Sequence, residues 1–429
     1  MKNISIKELY QIYRQHPEVC TDTRNIKAGS LFFALKGANF NANEFAAQAI
    51  KQGCNYAVID EEKYYSDKCI LVNDVLETLQ NLANHHRKQF TIPIIGITGS
   101  NGKTTTKELT AAVLSKKYNT LFTQGNLNNH IGVPLTLLKL TDKHGIAVIE
   151  MGANHVGEIW DLSNIAEPDY GIITNIGKAH LEGFGGYEGV IKAKSELYDF
   201  IQMKGGKLFV NSDDALLMEK SDGIKKITYG TTGKSNVKGT LDKENFLAKG
   251  KINIDGKEVE VSSNLAGSYN FNNILAAASI GSNFGVALNE IKMAIEEYIP
   301  SNNRSQIEKK GSNTIWVDAY NANPSSMKIA IENFAALNNS NKILILGDMF
   351  ELGEESQKEH QTIANLIDSK KWRGVYLVGN DFSKVKSSAK LFISTDEFMQ
   401  WLAENPIKDS TILLKGSRGM QMEKILEKL

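Results

Sequence analysis

The chain has 429 residues, 41% of them hydrophobic, which at roughly 100–200 residues per domain suggests two to four domains with ample cores. Its 49 basic residues balance 49 acidic ones, so no net field draws it to nucleic acid or an anionic membrane. The three cysteines, Cys20, Cys54 and Cys69, form no CxxC pair, which argues against a disulfide framework or a zinc site and for a reducing compartment.

The N-terminus, MKNISIKELYQIYRQ, alternates polar and apolar residues at helical spacing and lacks the apolar core of a signal peptide. No apolar run is long enough to span a bilayer. Up to about His86 the pattern predicts a small α/β unit: a helix over 6–14, strands over 29–37, 56–60 and 69–72, and helices over 42–52 and 75–88. Pro93 marks a break.

Strand–helix alternation follows. IIGITG, GIAVIEMG and YGIITNIG are apolar runs, separated and followed by amphipathic helical patterns at 107–117, 156–165 and 189–201. That combination predicts a mostly parallel sheet covered on both faces. From Gly206 the pattern changes to strands KLFVN and KKITYG and a hairpin, INIDGKEVEV, with a tight Asp-Gly turn. Helices over 272–284 and 289–299 come next. From about Pro300, TIWVDAY, KILILGDM, RGVYLVG and STILLKG read as strands of a second doubly wound unit. The expectation is therefore an α/β chain of three domains, 1–88, 89–300 and 301–429.

The chemistry concentrates at strand ends. GITGSNGKTTTKE, residues 96–108, lies between a strand and a helix like a phosphate-binding loop, yet Gly96 stands one residue too early for the usual spacing. Gly99 and Gly102, on either side of Ser100 and Asn101, would let the loop backbone turn so that its N–H groups face an anion. The dipole of a helix starting near Thr104 favours phosphate there. Lys103 would reach the β and γ phosphates and Thr104 a Mg²⁺ ion, with Thr105 completing the loop. This pattern is strong for nucleotide binding and weak for reaction class.

Glu150 closes the strand AVIE, where doubly wound sheets bind ligands; a metal or water ligand and a solvated strand-end acid are equally compatible with that place. His180 follows a strand in a Gly-rich loop, although Mg²⁺ prefers oxygen and a lone histidine is more often structural. In KAKSELY, Lys192 and Lys194 face different ways on a helix, so one can be solvated while the other points inward. Arg304 and Asp318 flank a strand near a domain boundary, placed to meet phosphates and ribose or to be plain surface charges.

Taken together, GSNGKTTTKE, NLNNHIGVPLTLL, IEMGANHVGEI, ITNIGKAHLEGFG and KAKSELY resemble the Mur ligases, ATP-dependent amide ligases of peptidoglycan precursor synthesis. DAYNANPSSM, LGDMFELGEESQKEH, TDTRNIKAGSLFFALKGANFNANEF and KGSRGMQME extend the resemblance over nearly the whole chain, and the shorter loop is the form this family uses. The resemblance implies a three-domain α/β fold: an N-terminal UDP-binding domain, a central P-loop ATPase-type sheet with a small β extension, and a C-terminal Rossmann-like domain. It implies ligation of D-alanyl-D-alanine to UDP-N-acetylmuramoyl-tripeptide in the cytoplasm, by a monomer without membrane insertion or nucleic-acid partner.

Carried over residue by residue, the resemblance gives ATP phosphates and a first Mg²⁺ to Lys103 and Thr104, and a second Mg²⁺ to Glu150 and His180. Lys194 matches a lysine carbamylated in related ligases. Asn270 and Asn273 match the adenine-contacting segment, and Arg304 and Asp318 the hinge arginine and ribose-binding acid. Thr23 and Arg24 lie in the segment that meets UDP. Asn128 and Asn129 match a substrate-side loop, and Asn321, Asn323 and Pro324 the motif near the dipeptide site. Tyr269 stands where the family often has His, and Asn43-Glu44 where it often has Gly-His.

Three alternatives share parts of this pattern. A sister ligase is one, although the Asp-Asn-Pro-Arg motif of the ligase adding the third stem residue is missing, and folylpolyglutamate synthetase shares the loop but not YNANP or GDMFELG. A nucleotide-binding protein without ligase chemistry is another. A scaffold that has lost activity is the third.

Overall fold

The computed structural model describes residues 4–242 and 245–429. They divide into two compact units, one comprising the chain up to Ile97 with Tyr118–Ala153 and Gly157–Gly171, the other Thr98–Lys117, Asn154–Val156 and Ile172–Leu429.

In the first unit the helix Ile6–Gln15 starts where Ser5 and Glu8 form a reciprocal capping box. A four-stranded parallel sheet follows in the order Val19–Cys20, Leu31–Phe33, Tyr56–Ile59, Cys69–Leu71. Phe32, Ala34, Ala46, Ala49, Ala57 and Ile59 pack into its core. The stretch 29–37 is not one strand: it breaks after Phe33, and Lys36–Gly37 pairs antiparallel with Phe40–Asn41. The helix expected over 42–52 opens as a 3-10 turn, Ala42–Phe45, before the α-helix Ala46–Lys51, because the Asn41 side chain accepts the Asn43 N–H and tightens the entry. Asn43 itself is buried, its side chain bonded to Asn41 and to both side chain and backbone of Asp60 at 2.8–3.0 Å. These bonds tie Asn43 into the packing between Asn41 and Asp60.

The same unit holds strands in the order Ile94–Thr98 (all but its last residue), Ile146–Glu150 and Thr120–Phe122, all parallel. Every residue of the first two is buried, as continuous apolar runs covered on both faces require. The helix Val75–Arg87 delivers the chain to them; the buried Arg87 donates to the carbonyls of Ala166, Phe90 and Glu167 and pairs with Asp169 at 3.2 Å.

In the second unit the strand Tyr170–Ile173, begun in the first, is followed across a sheet by Lys207–Asn211, Lys226–Gly230, Val237–Asp242, Leu247–Ile254 and Lys257–Ala266. The last three run antiparallel to one another. Asp255 and Gly256 both take positive φ at the hairpin tip, the pairing a two-residue hairpin turn demands. The helices Lys103–Leu114 and Asn270–Asn283 belong to this unit.

Its second sheet has six strands, in the order Gln306–Lys310, Asn313–Asp318, Thr411–Lys415, Lys342–Gly347, Gly374–Val378, Lys390–Phe392. All neighbours are parallel except the first pair. The core strand Lys342–Gly347 is buried throughout, and the loops at the carboxyl ends of Asn313–Asp318, Lys342–Gly347 and Thr411–Lys415 carry the C-terminal motifs. Among the described residues no helix is long and apolar enough to cross a membrane.

Candidate active site

The phosphate loop is built by its neighbours. Gly99 has φ +139° and a Cβ there would collide with Thr174 Oγ1; Gly102 has φ +78° and a Cβ would lie 2.7 Å from Asn273 Oδ1. Both positions therefore admit only glycine without strain. The Ser100 N–H donates to the Asn175 carbonyl at 3.0 Å and the Asn101 N–H to Asn175 Oδ1 at 3.1 Å. These two N–H groups are thus engaged in holding the loop. The helix Lys103–Leu114 begins directly after Gly102, which caps it in the left-handed region without a side-chain hydrogen bond, and its first backbone bond runs from the Thr106 N–H to the Gly102 carbonyl at 2.8 Å. Thr174 Oγ1 and Asn175 Nδ2 both donate to the Asn101 carbonyl, at 2.5 and 2.9 Å. Lys103 Nζ donates to the Gly99 carbonyl at 2.7 Å, so the ammonium lies across the loop. Thr104 and Thr105 are buried in the first helical turn.

From this loop a polar chain leads to Ser305. Thr106 Oγ1 donates to Asn273 Oδ1, Asn273 Nδ2 to Asn270 Oδ1, and Asn270 Nδ2 to the Ala266 carbonyl and Ser305 Oγ, all at 2.7–3.1 Å. Both asparagines therefore act here through their neighbours. Tyr269 stacks on Trp316 with ring centroids 6.2 Å apart and bonds Ser305 Oγ through its hydroxyl at 3.0 Å. Burial pushes its phenol well above the ordinary range, with Asp318 adding to the effect. Asp318 Oδ1 accepts the Ser305 N–H at 3.3 Å and Oδ2 pairs with Lys415. The Arg304 guanidinium lies 3.7 Å over the Tyr320 ring, and Arg418 NH1 donates to the Tyr320 hydroxyl at 3.4 Å.

Asn321 lends its carbonyl to Lys415 Nζ at 3.2 Å. Asn323 caps the helix Pro324–Ala336, which Pro324 starts at its first position. His180, at φ +52°, sets its Nδ1 against Glu351 Oε2, and that contact holds the Glu351 carboxyl below its ordinary range. On the helix Tyr187–Lys204, Lys192 is exposed and Lys194 is buried, with Nζ 4.9 Å from the Phe184 ring centroid.

Glu150, Asn128, Asn129, Thr23 and Arg24 fall in the first unit. Glu150 is buried at the end of its strand, and Asn128 Nδ2 donates to its Oε1 at 2.8 Å. Asn129 Oδ1 accepts the N–H groups of Ile131 and Gly132, shaping the turn that carries Asn128. Thr23 and Arg24 form a 3-10 turn; Arg24 is highly exposed and its hydrogen bonds pull Asp22 down to about 2. Among the described residues no three of His, Cys, Asp and Glu gather closely enough to form a metal cage by themselves.

Sequence reasoning missed Thr174, Asn175, Glu351 and Lys415. TNIG and the FELG glutamate lay in quoted motifs, so position was the available signal; their partners were not readable.

A strand–GKT–helix loop against strand-end motifs of a second α/β sheet marks a nucleotide-binding protein of P-loop type. Residues 97–281 match the Mur ligase middle domain, and residues 303–418 match the Mur ligase glutamate ligase domain. The UDP-N-acetylmuramoyl-tripeptide–D-alanyl-D-alanine ligase of Bacillus subtilis (strain 168) is 35% identical over 96% of this chain and 92% of its own length. The enzyme of the same description from Escherichia coli (strain K12) is 34% identical over 96% and 93%. A crystal structure of MurF from Acinetobacter baumannii superposes with a TM-score of 0.87 at 30% identity, covering 100% of this chain and 99% of that one. MurF ligase from Thermotoga maritima in complex with ADP gives 0.87 at 26% identity, covering 96% and 97%. The chain belongs to the Mur ligase family.

Proposed function

We propose that this protein is an ATP-dependent ligase that joins D-alanyl-D-alanine to UDP-N-acetylmuramoyl-tripeptide, yielding the UDP-pentapeptide, ADP and phosphate in peptidoglycan precursor synthesis. The observation that carries it is near-full-length similarity to ligases of this description, joined to a phosphate loop whose glycines are sterically required.

A carboxylate is a poor electrophile, so amide formation needs activation. The tripeptide carboxylate oxygen attacks the γ phosphorus of ATP, the bond to ADP breaks, and an acyl phosphate results. The dipeptide amine then attacks the acyl carbon, and phosphate leaves as the tetrahedral intermediate collapses. Positioning and charge neutralisation supply most of the rate in such transfers. Lys103 would offset charge on the β and γ phosphates, and Arg304 and Asp318 would orient the nucleotide at the hinge. Asn270 and Asn273 set the adenine side, and Asn321, Asn323 and Pro324 serve the dipeptide side. Thr23 and Arg24 serve the UDP moiety, and Asn128 and Asn129 the substrate side of the central domain.

Thr104 and Glu150 present oxygen donors, the type Mg²⁺ prefers, and Glu150 is a buried acid steered by an amide. With His180 they would hold two magnesium ions, which neutralise phosphate charge when bound. The buried Lys194 ammonium fits such a site only as its carbamate, an anion, and we assign it that modification. Undiminished turnover of Lys194→Ala after removal of bicarbonate and CO₂ would remove the assignment.

The domain division 1–88, 89–300 and 301–429 is part of the same reading, supported by the separate four-stranded and six-stranded sheets near either end of the chain. So are a monomeric state, a cytoplasmic location, and the absence of membrane insertion and nucleic-acid binding.

The test is phosphate release from ATP with UDP-N-acetylmuramoyl-tripeptide, with and without D-alanyl-D-alanine, using both lysine and diaminopimelate forms. Release requiring both substrates, with a UDP-pentapeptide product, is expected. Release indifferent to the dipeptide would overturn the assignment.

A further inference from the structure

Asn323 uses both ends of its amide. Oδ1 accepts the Ser326 N–H at 2.9 Å and caps the helix Pro324–Ala336, while Nδ2 donates to Asn101 Oδ1 at 2.8 Å. Asn101 sits inside GSNGKT with its own main chain held on both sides, the N–H by Asn175 Oδ1 and the carbonyl by Thr174 Oγ1 and Asn175 Nδ2. Its side chain is therefore a fixed feature of the phosphate loop. The neighbouring turn adds to the contact. Ser325 Oγ accepts the Lys178 N–H at 2.8 Å, and Lys178 Nζ reaches Glu359 at 2.6 Å. A helix that begins at the carboxyl-end loops of the six-stranded sheet is thus registered on the phosphate loop by side chains.

We propose that Asn323 is a positioning residue: through Asn101 it sets the C-terminal dipeptide-carrying loops against the phosphate loop, so that the amine meets the acyl phosphate before water does. The inference rests on the ligase reading and gives one residue of that site a specific task. Amine attack depends on the docked geometry, since fixed orientation is what makes it fast. Attack by water, which breaks the acyl–oxygen bond and returns carboxylate and phosphate, does not. Loosening the contact therefore changes how the acyl phosphate is partitioned, and not only how fast it forms.

Two variants separate this role from helix capping. Asn323→Ser keeps an uncharged cap acceptor but is too short to reach Asn101. Asn101→Ala removes the acceptor and leaves the cap untouched. With the full-length enzyme, ATP, UDP-N-acetylmuramoyl-tripeptide and D-alanyl-D-alanine, phosphate and amide are measured together. Each variant is expected to raise the fraction of acyl phosphate lost to water, and the KM for the dipeptide, by roughly three- to ten-fold, the worth of one neutral hydrogen bond. The double variant is expected to match either single one, because both remove the same contact. A fraction lost to water that stays at the wild-type value, or single effects that multiply in the double variant, would overturn the proposal. Absence of amide formation by the wild type would instead overturn the ligase reading, and this inference with it.

Discussion

Lys415 Nζ lies 2.5 Å from Asp318 Oδ2, and the two residues stand opposite each other in a parallel strand pair. Lys415 is almost wholly buried, and its ammonium also reaches the Asn321 carbonyl. The strand-end acid expected to meet a ribose is thus charge-compensated by the fold and aimed by it. Lys415→Met leaves a largely buried carboxylate without its cation, a change that costs about 3 kcal/mol when such a pair is broken. Chemical denaturation is expected to show that loss, and ATP titration a raised KM; an unchanged midpoint would contradict the pairing's importance.

Lys103→Ala removes the ammonium that lies across the loop at Gly99. Turnover should fall by at least about 10²-fold, the scale of deleting one electrostatic contact to a developing charge. The melting temperature should stay close to wild type, since Lys103 is only partly buried and supports no core. Wild-type activity in this variant would sink the phosphate-loop assignment.

Gly99→Ala places a methyl group against Thr174 Oγ1 and 3.0 Å from the Thr174 nitrogen, at a φ that alanine disfavours. Strain of this kind costs roughly 1–3 kcal/mol. Since Thr174 also holds the Asn101 carbonyl, relief must distort the loop, so nucleotide affinity should drop more than stability. Calorimetric titration with ADP, beside a thermal melt, checks the order of the two effects.

His86 is buried between the Tyr10 hydroxyl, 3.2 Å from Nδ1, and the Leu140 carbonyl, 3.0 Å from Nε2. Burial lowers its pKa below the ordinary histidine value, with the Leu140 contact opposing in part. The unfolded chain therefore takes up a proton at a higher pH than the folded one. Stability is complete above the unfolded value near 6.5 and is lost as pH falls from there toward the depressed folded value. One such group contributes a slope of at most about 1.4 kcal/mol per pH unit. The unfolding midpoint should fall between pH 7 and 5.5, and less steeply in His86→Gln; identical slopes would contradict the assignment.

The sequence by itself determined what depends on neighbours along the chain. IIGIT and AVIE read as strands because an unbroken apolar run fits a sheet covered on both faces. GSNGKTTTKE read as a loop entering a helix because glycine spacing and GKT are local. The Asp255-Gly256 hairpin was legible for the same reason. Edge strands such as Thr120–Phe122 and Gln306–Lys310 were not, because their apolar content is slight and only pairing with a neighbour makes them strands.

Only the tertiary structure decided which groups meet. Asn175 lies 74 residues from Asn101, Asn323 lies 222 away, and Lys415 lies 97 beyond Asp318. Strand order brings them together, and strand order is set by burial over the whole sheet. That is why no local motif could name Asn175 as the residue that engages the N–H groups of Ser100 and Asn101. A buried backbone donor must find an acceptor, and which acceptor it finds depends on residues far away in the chain.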